Sequence, residues 1–244
     1  MQLLILAHAF DHGASAVADV LSHHLGSQLT VLRPEWLGQA QWSHRVSSQG
    51  RAQTRIRWQS GALESAEVGL VWNRIRLLPQ ANFRNSAPAD RDYAAAEMQA
   101  LVTSFLAELG DRVVPPLHRH VTLTPTTHFL EWSVAALQCG LQLHPDPAVA
   151  PSSTVLVTPE TVVGPPTSVW PASLFHACHG LAARLGFDFL ELSFAGAPQS
   201  PLLCRINSQP SLTSIAEVNT VAQWLMARAR ASDGKSTVQS EVVL

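Results

Sequence analysis

Lysine is almost missing from this sequence: Lys235 is the single one among 16 basic residues, and every other cation is an arginine. That excludes a lysine grip on phosphate anywhere before the last few residues. Cysteine is scarce as well. Cys139, Cys178 and Cys204 lie far apart with no C-x-x-C pair, which excludes a disulfide framework and a cysteine-based zinc site. A reducing, cytoplasmic setting is the corresponding expectation. Charge of either sign is low, at 14% of residues and a net of -2, which argues against a general nucleic-acid binder and against an acidic-tail protein. Long apolar runs are missing too. The opening LLILA has no basic segment before it and no run approaches a bilayer's thickness, so an unexported protein with no membrane partner is expected. G-x-S-x-G, P-loop, H-E-x-x-H and G-x-G-x-x-G motifs do not occur, and no catalytic residue is assigned. What remains is a chain of 244 residues, 46% of them hydrophobic, with enough apolar material for one large or two small domains.

The pattern along the chain is that of an α/β protein. Met1 to Ala7 reads as a strand buried on both faces, and Val17, Val20, Leu21 and Leu25 repeat at helical spacing until Gly26. The stretch AHAFDHG between them is therefore a strand-to-helix loop, at the end of a parallel sheet where ligands tend to bind. Its His8, Asp11 and His12 are metal-ligand residue types. In a loop, however, their spacing fixes no shared face, so a helix-capping Asp11 among polar neighbours is the favoured reading and a metal site the alternative.

LTVLRPEW gives a second strand. From Ser43 to Arg57 the chain is polar, and eight arginines fall between Arg45 and Arg91. Two readings stay open: a solvated surface, or a pocket where planar guanidinium groups grip carboxylate or phosphate. AEVGLVWNRIRLLP alternates as a strand, with Val71, Asn73, Ile75 and Leu77 on one side and Trp72, Arg74 and Arg76 on the other. A helix follows from an N-cap at Asp90 to Gly110, then a short RVVPP strand and turn, and a helix from Pro125 to Gly140. The proline-rich stretch beyond allows short strands at Val155–Val157 and Val162–Val163. Helix Pro171 to Leu185, the paired strands FDFLELSF and PLLCRI, and a last helix from Ile215 to Ala229 complete the order. His176 and His179 are placed on the border of their helix's apolar face, and His118-Arg119-His120 on a connector.

In their order, these words resemble the RimK-like branch of the ATP-grasp ligases. ILAHAFDHGASAVADVL is similar to the opening strand and Asp-bearing loop of that family, and VWNRIRLLP with ADRDYAAAEMQALVTSFLAELGDRVVPP to the close of its first domain. LAARLGFDFLELSF, a turn and LLCRINSQP are similar to its metal-binding strands. The resemblance implies a Rossmann-like (pre-ATP-grasp) domain over 1–116, an ATP-grasp core over 117–231 and a flexible tail over 232–244. It also implies chemistry in which a carboxylate becomes an acyl phosphate and an amine attacks it, with Mg²⁺ held by carboxylates.

The departures from the family are specific. Its Asp position falls here on Ser193, its Glu position on Arg205, and its Asn position on Asn207. Arg205 would repel a metal; it either holds an anion or pairs with an acid such as Glu191. The stretch from Gly140 to Pro171 is too short for the family's lysine-bearing, adenine-binding lobe, so the core is expected to be reduced, lacking most of that lobe. The resulting expectation is a non-catalytic ATP-grasp-like protein with no cofactor and no bound metal. It recognises a peptide, an acidic small molecule or a protein partner, one candidate being an active ATP-grasp ligase, and it has the option of a homo- or hetero-oligomer. The expected ligand residues are His8, Asp11, His12, Arg74, Arg205 and Asn207. The alternative is a minimal ATP-dependent carboxylate-amine ligase using Mg-ATP.

Overall fold

The computed structural model describes residues 2–50, 52–75, 78, 83, 87–117, 128–164 and 170–238, with backbone alone over 232–238. The chain divides into two compact units, Met1–Pro125 with Ala222–Leu244, and Thr126–Val221.

In the first unit, β1 (Gln2–Leu6) leads into α1 (His12–Leu25), β2 (Leu29–Leu32) and the single turn α2 (Pro34–Leu37). Next come β3 (Gln41–Val46), β4 (Ala52–Trp58), β5 (Gly61–Glu64) and β6 (Val68–Asn73), then α3 (Pro88–Leu109) and β7 (Val113–Val114). Strands β1, β2, β6 and β7 form a parallel sheet in the order β2-β1-β6-β7. Every residue of β6 is buried, which corrects the expected two-sided alternation. A strand between two others in a parallel sheet is covered on both faces and needs no polar side. The sequence places an N-cap at Asp90, but α3 begins earlier, with Ala87 as cap and Pro88 at its first position. Proline suits that position because its missing N–H would be unbonded there anyway. Asp90 sits instead in the first turn, where a carboxylate favours the helix dipole.

The arginine-rich stretch is not a connector. β3, β4 and β5 form an antiparallel sheet of their own. Its inner face sends Ile56 and Leu63, both buried, and the partly buried Trp42 into a core shared with Leu4, Leu6, Val71, Val102, Phe105 and Leu106. A polar chain ties this sheet to α3. Thr54 is fully buried; its hydroxyl donates to Glu108 Oε2 at 2.5 Å and accepts from His44 Nδ1 at 2.7 Å. That leaves His44 Nε2 to accept from Ser104 Oγ at 2.9 Å. A buried hydroxyl between two charged or chargeable groups is tolerated because both of its bonding roles are filled.

The second unit holds α4 (Phe129–Gln138), β8 (Ser153–Val157), β9 (Val162–Val163), α5 (Ala172–Leu185), β10 (Leu190–Ala195) and β11 (Leu202–Asn207), and the start of α6 (Ile215–Val238). Its antiparallel sheet runs β11-β10-β8-β9. α4 packs on α5, and Trp132, Cys178, Leu181, Leu192, Phe194 and Leu203 are among the side chains of one core. Gly186, at φ 72°, closes α5 in the left-handed region that glycine adopts without penalty. α6 outruns the expected Ile215–Ala229, ending at Val238; Arg230 and Ala231, the first two residues beyond the expected end, are strong helix formers. It opens with a capping box: Ser214 N donates to Glu217 Oε2 at 2.9 Å and Glu217 N to Ser214 Oγ at 3.2 Å. Among the described residues, β8 and β9 are the strands between α4 and α5.

Candidate functional site

Four of the expected ligand residues belong to the first unit; three of them lie just past the carboxyl ends of parallel strands, and two of those, Asp11 and Arg74, are in contact. β1 ends at Leu6, and the loop that follows presents His8 and Asp11. Asp11 caps α1 by accepting from Ala14 N at 2.9 Å, as a short carboxylate at that position should. Its other engagement crosses the sheet. Arg74, one residue beyond β6, donates from Nε to Asp11 Oδ2 at 2.7 Å and from Nη2 to Oδ1 at 3.1 Å. The pair is nearly enclosed, with 6% of the Arg74 side chain and 16% of Asp11 exposed. Arg74 also lies over the Trp72 ring at 5.0 Å, and its backbone N donates to Leu6 O at 2.8 Å. Nη1 of Arg74 is buried and has no hydrogen-bond partner among the described residues. Such a donor is costly to leave unmade, at about 1–3 kcal/mol.

His8 contacts Glu35 of α2 through Nδ1 at 3.3 Å and stacks on Phe10 at 4.8 Å between centroids. Phe10 itself is 72% exposed. His12 is exposed at the first position of α1. The Asp11 carboxylate is held by a guanidinium and by a helix N-terminus. Among the described residues no group of three His, Cys, Asp or Glu side chains is placed to bind a metal.

The other two expected residues, Arg205 and Asn207, lie on β11 in the second unit. The register pairs Glu191 with Asn207 and Ser193 with Arg205. Asn207 Nδ2 donates to Glu191 Oε1 at 3.1 Å, and Ser211 N donates to Glu191 Oε2 at 2.6 Å. Asn207 Oδ1 accepts from Gln209 N at 3.0 Å. This corrects the pairing of Arg205 with Glu191: Glu191 is satisfied by an amide and a backbone N–H, while Arg205 is exposed with no ion pair among the described residues. Ser193 is buried, its hydroxyl 3.4 Å from that of Thr154 on β8.

A Mg²⁺ ion takes hard oxygen ligands, chiefly carboxylates. This hairpin offers a serine hydroxyl, a guanidinium, an amide and one carboxylate whose oxygens each already accept a bond, so these residues do not fit Mg²⁺. Burial pushes the Cys178 thiol on α5 up to about 12, which makes it an inert core group. His176 is exposed and bonds its own helix at Ala172 O, 2.8 Å away. His118-Arg119-His120 lies outside the described residues.

Sequence reasoning missed Glu191 and Ser211 as the partners that fix the β11 turn, and it missed the His44, Thr54 and Glu108 chain. The S-x-x-E spacing at Ser214 was a legible signal; the cross-strand partners had none, since pairing register joins residues far apart in sequence.

No family model matches this sequence. No curated protein matches it significantly. Solved structures do match. Macrocyclase MdnB from Microcystis aeruginosa MRC superposes with a TM-score of 0.69 at 15% identity, over 91% of this chain and 98% of its own. A RiPP-associated ATP-grasp ligase from Chryseobacterium gregarium, in complex with ADP and a leader and core peptide, gives 0.70 at 10% identity, over 96% and 97%. The chain has the ATP-grasp ligase fold. Macrocyclase MdnC of the same Microcystis strain, bound with precursor peptide MdnA, shares that fold at a TM-score of 0.68 and 13% identity, over 93% and 100%. At such identities it is the fold that is shared, and the side chains above must speak for themselves. Within the fold, β10 and β11 carry the Ser193, Arg205 and Asn207 set, and β1 and β6 carry the Asp11–Arg74 pair. Among the described residues no helix is long and apolar enough to cross a membrane.

Proposed function

We propose that this protein binds a peptide on the ATP-grasp ligase scaffold, as a RimK-like member with a reduced grasping lobe, divided near residues 116 and 231. One observation carries the reading: the fold is shared over more than nine-tenths of the chain with ATP-grasp proteins solved together with precursor, leader or core peptides. On this reading His8, Asp11, His12 and Arg74 are the first unit's candidate ligand residues, and Arg205 and Asn207 are those of the second unit, each set taken by itself. Arg74 is held side-on by Asp11, in the planar manner in which arginine grips a carboxylate.

Two versions of the chemistry follow from different observations. The comparisons favour ATP-dependent carboxylate-amine ligation over a non-catalytic role, because ATP-grasp ligases are among the neighbours, one of them, PsnB, solved with precursor, Mg and ADP. Ser193 and Arg205, where the family has its metal carboxylates, favour binding without metal-nucleotide chemistry, and no step through Mg-ATP is assigned to them. Calorimetric titration with Mg-ATP, and ADP release in the presence of a carboxylate-bearing peptide, separate the two. Micromolar heat and ADP release abolished by Asn207→Ala establish the ligase. Peptide binding with neither signal establishes the non-catalytic role. A protein that binds no carboxylate-bearing peptide and releases no ADP overturns both.

A further inference from the structure

The sheet formed by β3, β4 and β5 has two unlike faces and, among the described residues, an edge with no strand beside it. Trp42, Ile56 and Leu63 stand in one cross-strand row on its core side. The other face is set by the same register: Ser43, Arg55 and Glu64 in one row, Gln41, Arg57 and Ala62 in the next, and Arg45 opposite Gln53. Arg45, Arg55 and Arg57 are all exposed. Glu64 is their one acidic row-mate, 3.2 Å from Arg55 Nε, and Arg45 and Arg57 form no ion pair among the described residues. This small face is therefore clearly positive on a chain whose net charge is -2. A shallow concavity of about 220 Å³, lined by Ser43, Arg45, Gln53, Arg55 and Glu64 among others, lies there.

The strand order β3-β4-β5 leaves the outer edge of β3 without a neighbouring strand among the described residues. A strand edge offers backbone N–H and C=O groups in a row, ready to pair with an added strand. In an extended peptide, alternate side chains point to the same face and repeat about every 7 Å, the spacing at which β4 presents Arg55 and Arg57. A strand laid beside β3 brings its same-face side chains within about 5 Å of Ser43 and Arg45, and the long arginines of β4 reach toward it.

We propose that this edge and face dock an extended peptide with acidic residues at every second position, added antiparallel or parallel beside β3. Charge complementarity chooses the occupant. A nucleic-acid strand would call for aromatic platforms beside the cations, and the aromatic residues of these strands, Trp42 and Trp58, pack against the core side instead. The inference has a peptide in common with the reading above but rests on this sheet's register and charge alone.

The test is fluorescence anisotropy on the full chain at low ionic strength, with three labelled probes. These are a peptide alternating Glu and Thr, an isomer with the same residues but its glutamates in one block, and an oligothymidylate. The alternating peptide should bind best, about tenfold over the block isomer, and weaken as salt is added. The R45E/R57E variant, altered at two exposed positions and checked by circular dichroism, should lose at least about tenfold. An alternating peptide with N-methylated backbone amides should bind as poorly as the block isomer. The proposal is overturned by no binding at low salt, by equal binding of the block isomer or the oligothymidylate, or by full binding of the N-methylated peptide. The readout is binding of these probes, so a failed ADP-release assay leaves it intact.

Discussion

Arg74 Nε donates to Asp11 Oδ2 across 2.7 Å, and that one contact fastens the end of β6 to the first turn of α1. The same carboxylate is a helix cap and a buried counter-ion, so substitutions at position 11 separate two effects. Asp11→Asn keeps a good cap but discards the charge, and Asp11→Ala discards both. Removing one partner of a buried pair strands the other, at about 3–5 kcal/mol. Urea unfolding should show Asp11→Ala losing about that much, Asp11→Asn about 1 kcal/mol less than that, and the double variant D11A/R74M recovering most of the loss. Additive losses in the double variant would mean the pair is not coupled.

The β10–β11 hairpin should change its ligand class when carboxylates are placed on it. Ser193 and Arg205 face each other across the strands, with Asn207 and Glu191 forming the next row. The S193D/R205E variant places three carboxylates close together, the donor set that Mg²⁺ requires. Calorimetry should detect Mg²⁺ in the variant and no heat with the native protein. Mg²⁺ heat from the native protein would show that its hairpin is already sufficient.

Thr54 offers a test of buried polar satisfaction. Its hydroxyl is bonded by both His44 and Glu108, and Thr54→Val keeps the shape while leaving those groups unbonded. A loss of about 1–3 kcal/mol in denaturant unfolding is expected, with Thr54→Ser restoring most of it. A neutral valine would mean that water replaces the hydroxyl.

The alkaline limb of stability should carry the signature of Cys178. Its thiol holds the proton until about pH 12 in the folded state, against an ordinary 9.0. Between those values the folded protein binds more protons than the unfolded chain, so stability falls as pH rises, by about 1 kcal/mol per pH unit. Below that window the thiol contributes no pH dependence. Cys178→Ala should flatten the slope without abolishing folding. In the native protein at pH 8, a thiol reagent should modify the half-buried Cys139 and spare the buried Cys178 and Cys204.

Much of the first unit was legible because local chemistry sufficed. The LLILA run marks β1, Asp11 stands where a cap is needed, and the apolar positions from Val102 to Leu109 mark the buried stripe of α3. The β3–β4–β5 sheet was not read in advance, although Trp42, Ile56 and Trp58 alternate with polar residues. The density of arginine masked a period of two that becomes meaningful once α3 covers one face.

The sequence by itself determined the order of helices and strands, the loop that carries His8 and Asp11, and the presence of a serine and an arginine at positions 193 and 205. Those are matters of residue identity and short-range spacing, which hydrophobic periodicity and capping chemistry express directly. Tertiary structure alone decided that Arg74 answers Asp11 and that Glu191 is held by Asn207 and Ser211 rather than by Arg205. It also decided that three arginines share one open face of a sheet. Each of those depends on the register between strands or on the side of a strand that becomes covered, and register is set by packing between segments far apart in the chain.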